Sequence, residues 1–141
     1  MPSFYDYFKE NMEGLGLPAP ESLFGNVTTA VATATTLLTQ IDKFGKTVTV
    51  GELITAGTRL EKLAVIGACS AAFYVGAVIG SIAVATGRSL SGGLSLADVL
   101  ASARDNNLQR GWLTASLAKH PGIYQPQVQG RRHYLYAKGF V

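Results

Sequence analysis

Residues 63–87, LAVIGACSAAFYVGAVIGSIAVATG, form an uncharged run of 25 residues between Lys62 and Arg88. About 20 residues of helix cross the hydrocarbon core of a bilayer, so a run of this length spans one with some tilt. Within it Ala64, Ala68, Ala72, Gly76 and Gly80 recur every four residues, and Ala77, Ser81 and Ala85 make a second row of small side chains. Phe73, Val75, Val78, Ile79 and Ile82 take the remaining faces. Lipid tails are as apolar as leucine, so burying a leucine against another helix gains little inside a bilayer. Small residues instead let backbones approach and gain dispersion contacts, as in the GxxxG pair Gly76 and Gly80. The run is therefore expected to be a helix that packs tightly on other helices. The centre of a soluble helical bundle makes the same demand, because small residues permit close crossings there too.

Upstream, residues 22–41 also carry no charge. Phe24, Val27, Val31, Ala34, Leu38 and Ile41 alternate at spacings of three and four, which marks one apolar helical stripe. Off that stripe lie Asn26, Thr28, Thr29, Thr33, Thr35, Thr36 and Gln40. A solvated helix face normally carries Lys and Glu, so a neutral hydroxylic face is informative. Threonine hydroxyls bond back to their own helix carbonyls and so tolerate a low dielectric. Such a face suits a polar helix–helix contact or a pore lining, with Thr29, Thr33 and Thr36 as the candidate lining residues.

The flanks read as short helices joined by turns. Ser3 and Asp6 make a capping pair before Phe4, Phe8 and Met12, which recur at helical spacing. Gly14 and Gly16 end that helix, and Leu17-Pro18-Ala19-Pro20 is an extended linker. The aromatic helix docks inside the fold or lies at a membrane interface. Thr49 and Glu52 form a T-x-x-E capping box whose helix leads toward the apolar run, either passing through Glu61-Lys62 or bending there. RSLSGGL at 88–94 reads as a turn, and Ser95 with Asp98 opens a helix to about Asp105. A further helix is expected over 108–119, carrying Trp112 and ended by His120-Pro121-Gly122. The tail beyond is a small hairpin or irregular. The expected fold is mainly α: one domain over 1–141, a small helical bundle around an apolar hairpin of 22–41 and 63–87. A basic helical region (95–120) and a basic tail (121–141) complete it.

Charged residues make up 15% of the chain, below the usual quarter, and Gly, Ala, Ser and Thr fill the difference. The net charge of +3 is unevenly spread. Residues 1–61 hold seven acids and four bases, whereas 62–141 hold eight bases and only Asp98 and Asp105 as acids. A basic C-terminal region either attracts an anionic partner or keeps an apolar protein soluble. The N-terminal stretch MPSFYDYFKENMEG lacks a basic region followed by an apolar one, so it does not read as a cleaved secretory leader.

No catalytic set is legible, and no enzyme activity is expected. The single cysteine, Cys69, sits in the apolar run, where a thiol is more often a small hydrophobe than a nucleophile. With two histidines and one cysteine at no ligand spacing, neither a metal nor a cofactor is expected. The acids are scattered, and the glycines follow no phosphate-binding pattern. Arg131-Arg132-His133-Tyr134-Leu135-Tyr136 interleaves bases with aromatics as single-strand binders do, but it is short and no nucleic-acid partner is expected.

In its size, its leaderless N-terminus and its uncharged small-residue run, the chain resembles the small pore-forming antibacterial effectors exported through the bacterial type VI secretion tube. The resemblance implies carriage in the lumen of a hexameric tube protein, delivery to a rival cell and permeabilisation of that cell's inner membrane. It also implies cytoplasmic storage before export and an immunity protein in the producer. The positions that match the family's glycine-zipper pattern are Ala64, Ala68, Ala72, Gly76 and Gly80. On this reading the small-residue rows drive several copies together in the target membrane lipid, and the threonine faces line a narrow path for small ions.

Overall fold

The structure, a computed structural model, describes residues 3–57, 60–87 and 95–124. Among these the chain is mainly helical and folds as a bundle with no named strand. The helices are α1 (Phe4–Gly14), α2 (Glu21–Phe24), α3 (Val27–Phe44), α4 (Val50–Thr55), α5 (Ala71–Gly87), α6 (Leu96–Asp105) and α7 (Leu113–Lys119). Two 3-10 segments, Glu61–Ile66 and Pro121–Ile123, complete the set. The expected turn at 88–94 and the tail from 125, with the basic–aromatic motif, lie outside the described residues.

Helix starts follow the capping residues. Ser3 N–H donates to Asp6 (2.9 Å) and Asp6 N–H to Ser3 Oγ (3.3 Å). The backbone bond from Ser3 is the main reason the Asp6 carboxyl sits below its usual range. Thr49 with Glu52, and Ser95 with Asp98, close the same reciprocal box. Asn26 Oδ1 accepts from Thr29 N–H and starts α3 (2.9 Å).

Helix α5 is the axis of the bundle. Helices α1, α3, α6 and α7 and the 3-10 turn 121–123 all pack on it. Thirteen of its seventeen residues are buried, so it has no solvent face. That is the environment an all-apolar helix requires. A chain of rings joins its start to the N-terminal helices: Phe4 stacks on Phe8 (5.7 Å), Phe8 on Phe24 (4.8 Å), and Phe24 meets Tyr74 at a tilt (6.4 Å). Phe8 and Met12 are fully buried, so the aromatic face of α1 docks inside the fold. The Pro-rich linker is held by two phenols, Tyr5 Oη donating to Ala19 O and Tyr74 Oη to Pro18 O, each at 2.7 Å. Burial, and to a lesser degree the nearby Cys69, raise the Tyr74 phenol well above its ordinary value.

Three expectations need correction. First, the run 63–87 is not one helix. Residues 61–66 wind as a 3-10 segment, a turn follows, and α5 starts only at Ala71. Leu60, Leu63, Ile66 and Cys69 are buried while Ala64, Val65 and Ala68 are exposed. That spacing of three is the period of a 3-10 helix. The break is held from outside: Val50 N–H donates to Cys69 O (2.9 Å), Gly51 N–H to Gly67 O (2.8 Å), and Ala71 N–H to Val48 O (2.9 Å). The carbonyls of the turn thus satisfy the first amides of α4, which would otherwise have no partner. Gly51 permits this approach, since a Cβ there would lie 3.0 Å from Gly67 O.

Second, 22–41 divides at Gly25-Asn26 into α2 and α3, and α3 continues to Phe44. Its buried stripe is Ala30, Thr33, Ala34, Leu37, Leu38 and Ile41, while Val27 is exposed and Val31 half-buried. The stripe is rotated because α3 packs on both α2 and α5. The expected hairpin survives as the packing of α3 on α5. Third, α7 begins at Leu113, five residues later than expected, because 108–112 form a turn that buries Leu108.

Candidate functional site

The row of small residues divides at the break in the helix. Ala64 and Ala68 are exposed on the 3-10 segment and its turn, out of register with the rest. Ala72, Gly76 and Gly80 stay on one face of α5 and turn toward the C-terminal elements. Ala72 lines a cavity at the start of the helix. A Cβ at Gly76 would meet only Ser116 Oγ, at 3.8 Å. A Cβ at Gly80 would collide with the Ile123 side chain, whose own Cβ lies 3.6 Å from it. In the folded form the row is therefore an internal packing surface for α7 and the turn after it.

Beside Gly80, a buried polar clasp fixes the same contact. Asn11 Nδ2 donates to Ser81 Oγ (2.8 Å) and to Ile123 O (2.7 Å), tying α1, α5 and the 3-10 turn together. Asn11 was legible only indirectly. It shares the helical face of Phe4, Phe8, Met12 and Leu15, and a polar residue on an apolar stripe signals a buried hydrogen bond.

Thr29, Thr33 and Thr36, at spacings of four and three on α3, share one helical face but meet different surroundings. Thr29 is half-buried near the start of α3. Thr33 is buried and its hydroxyl donates to Leu23 O of α2 (2.8 Å). Thr36 is exposed and bonds back to Ala32 O (3.1 Å), as Thr35 does to Val31 O (2.9 Å). These self-satisfied hydroxyls match the low-dielectric tolerance read from the sequence, but in this packing they line no common path.

Open cavities flank α5, two of them large enough for a small molecule. The first, about 470 Å³, opens where α5 begins and is lined by Lys46, Ala72, Phe73, Trp112, Lys119 and His120 among others. The Phe73 and His120 rings meet edge to face at 5.2 Å. The second, about 570 Å³, lies between α3, α5 and α6 and carries Asp98 and Asp105. Among the described residues no group of three or more His, Cys, Asp or Glu could hold a metal ion, and no helix is long and apolar enough to cross a membrane. Cys69 is fully buried, with its Sγ 3.5 Å from Ser70 O. No protein-family model, no curated protein and no solved structure matches this chain.

Proposed function

We propose that this chain permeabilises membranes, and that the fold described above is the shielded form in which the membrane-active segment is stored. One observation carries the reading. Ala64, Val65 and Ala68 are exposed, Val65 by 73%, on the 3-10 segment and the turn after it, where water-facing positions ordinarily take polar residues. The folded packing gives no reason for apolar side chains there, whereas a spanning helix over 63–87 needs each of them. At 1.5 Å per residue α5 alone reaches about 26 Å, short of the roughly 30 Å hydrocarbon core, while all of 63–87 reaches about 37 Å.

Insertion on this reading requires the 3-10 segment to rewind onto α5. That breaks the three backbone bonds between 67–71 and 48–51 and frees the small-residue row from α7. Ala64, Ala68, Ala72, Gly76 and Gly80 then come into one register and association of several copies follows. Thr29, Thr33 and Thr36 would line an ion path only after the same rearrangement. Tube-lumen carriage, a target-cell inner membrane and a cognate immunity protein belong to this proposal through the resemblance alone.

The test locks the break. Thr49 and Ser70 face each other in an isolated antiparallel bridge. A Thr49→Cys, Ser70→Cys pair, with Cys69→Ala to prevent mispairing, closes it when oxidised. The wild type should discharge a potassium gradient across liposomes read by a potential-sensitive dye. The oxidised variant should be silent until reduced. An intact gradient with the wild type, or equal discharge by both redox forms, refutes the reading. A chain inert toward lipid would favour the second reading, a helical module that binds an acidic partner. The observation behind that alternative is that Lys46 and Lys119 share the rim of one open cavity.

A further inference from the structure

We infer that the cavity where α5 begins is a binding site for an organic anion with an apolar body, such as a carboxylate or phosphodiester head on an acyl chain. Such a site is independent of whether the central helix ever enters lipid. Its volume of about 470 Å³ falls within the 300–1,000 Å³ of small-molecule sites. Its lining divides into two kinds of surface. Ala72, Phe73, Ala115 and the half-buried Trp112 make an apolar wall. Lys46, from the turn after α3, and Lys119, from the end of α7, are both exposed and bring two positive charges to it from different elements.

No acid lines the cavity, and neither lysine forms an ion pair among the described residues. Asp42, four residues before Lys46 in the chain, is already engaged by Arg110, with Nη2 to Oδ2 at 2.9 Å and Nε to both carboxylate oxygens at 3.1–3.2 Å. Among the described residues the charge on the rim is therefore uncompensated. Ser70 and Ser116 add hydroxyls for orienting a head group. A neutral apolar molecule leaves the lysines unused, and a small inorganic anion leaves the wall wet. An amphiphilic anion uses both.

Trp112 is the only tryptophan in the chain, so its emission reports this cavity without interference. The full chain is titrated with octanoate, with octanol as the uncharged counterpart, and separately with phosphatidylglycerol and phosphatidylcholine vesicles. Octanoate is expected to shift Trp112 emission saturably, about tenfold more tightly than octanol, as befits one charge-assisted contact. The Lys46→Gln, Lys119→Gln variant should lose that tenfold preference at unchanged melting temperature. Raised salt should weaken octanoate but not octanol. A response to phosphatidylglycerol vesicles that octanoate competes away assigns the site to membrane lipid. A response to octanoate alone assigns it to a soluble acid, and both outcomes uphold an anion site. Equal binding of octanoate and octanol, or a lysine variant that binds as the wild type does, overturns it. So does a Trp112 spectrum that no probe moves.

Discussion

Residues 61–70 and 71–87 are neighbours in one apolar stretch, yet they fold by different rules. In the second segment no charged side chain falls on any face, one face is small and the others bulky, and neighbouring helices surround it, so an α-helix buried nearly all round results. In the first, Leu63, Ile66 and Cys69 continue a spacing of three from Leu60, and only that edge is buried. The backbone there tightens to three residues per turn and shows Ala64, Val65 and Ala68 to water. Hydropathy summed along the chain sees one segment. The period of the bulky residues and the partners of the backbone groups distinguish two.

The comparison is broken most decisively at the buried edge of the first segment. Ile66 is buried, so Ile66→Ala should cost about 2–5 kcal/mol in urea unfolding. Val65→Ala, one residue away, should stay within about 0.5 kcal/mol. Were 61–70 a continuous α-helix packed by its apolar content, the two losses would be alike.

A sharper test lies within the second segment. Gly80→Ala drives a methyl group into Ile123, and overpacking of this kind costs about 1–3 kcal/mol. Gly76→Ala has room before Ser116 and should instead gain up to about 1 kcal/mol, because alanine favours a helix interior over glycine. Opposite shifts in thermal melting would show that the two glycines serve different purposes in the folded form. Equal losses would mean that both backbones touch a neighbour.

The smallest effect is expected at Ala64. Exposed on the 3-10 segment, it should accept leucine with a stability change within about 0.5 kcal/mol by the same measurement. A loss comparable to that at Gly80 would place Ala64 in a buried contact and restore the five small residues to one face.

Much of the architecture was legible because it depends on neighbours in sequence. Ser3–Asp6, Thr49–Glu52 and Ser95–Asp98 announced three helix starts, since a cap and its amide lie within one turn. The central, all-round burial of α5 followed from a helix with no polar face. The candidate site was less legible. Of the row 64–68–72–76–80, only 72–80 share a helix.

The amino-acid sequence by itself determined that the chain is helical, where most helices begin, and which helix must be hidden from water. Each follows from local hydrogen bonding or from side-chain period. Only the tertiary structure decided where the apolar run breaks, because the amides of α4 that capture the carbonyls of Gly67 and Cys69 come from a different part of the chain. It also decided that Ile123 fills the space left by Gly80, that Asn11 reaches Ser81, and that Lys46 and Lys119 meet at one cavity. Those pairings lie 43 to 112 residues apart at Gly80–Ile123, Asn11–Ser81 and Asn11–Ile123. Over such separations no local rule acts, and the close packing of one helix against another selects the partner.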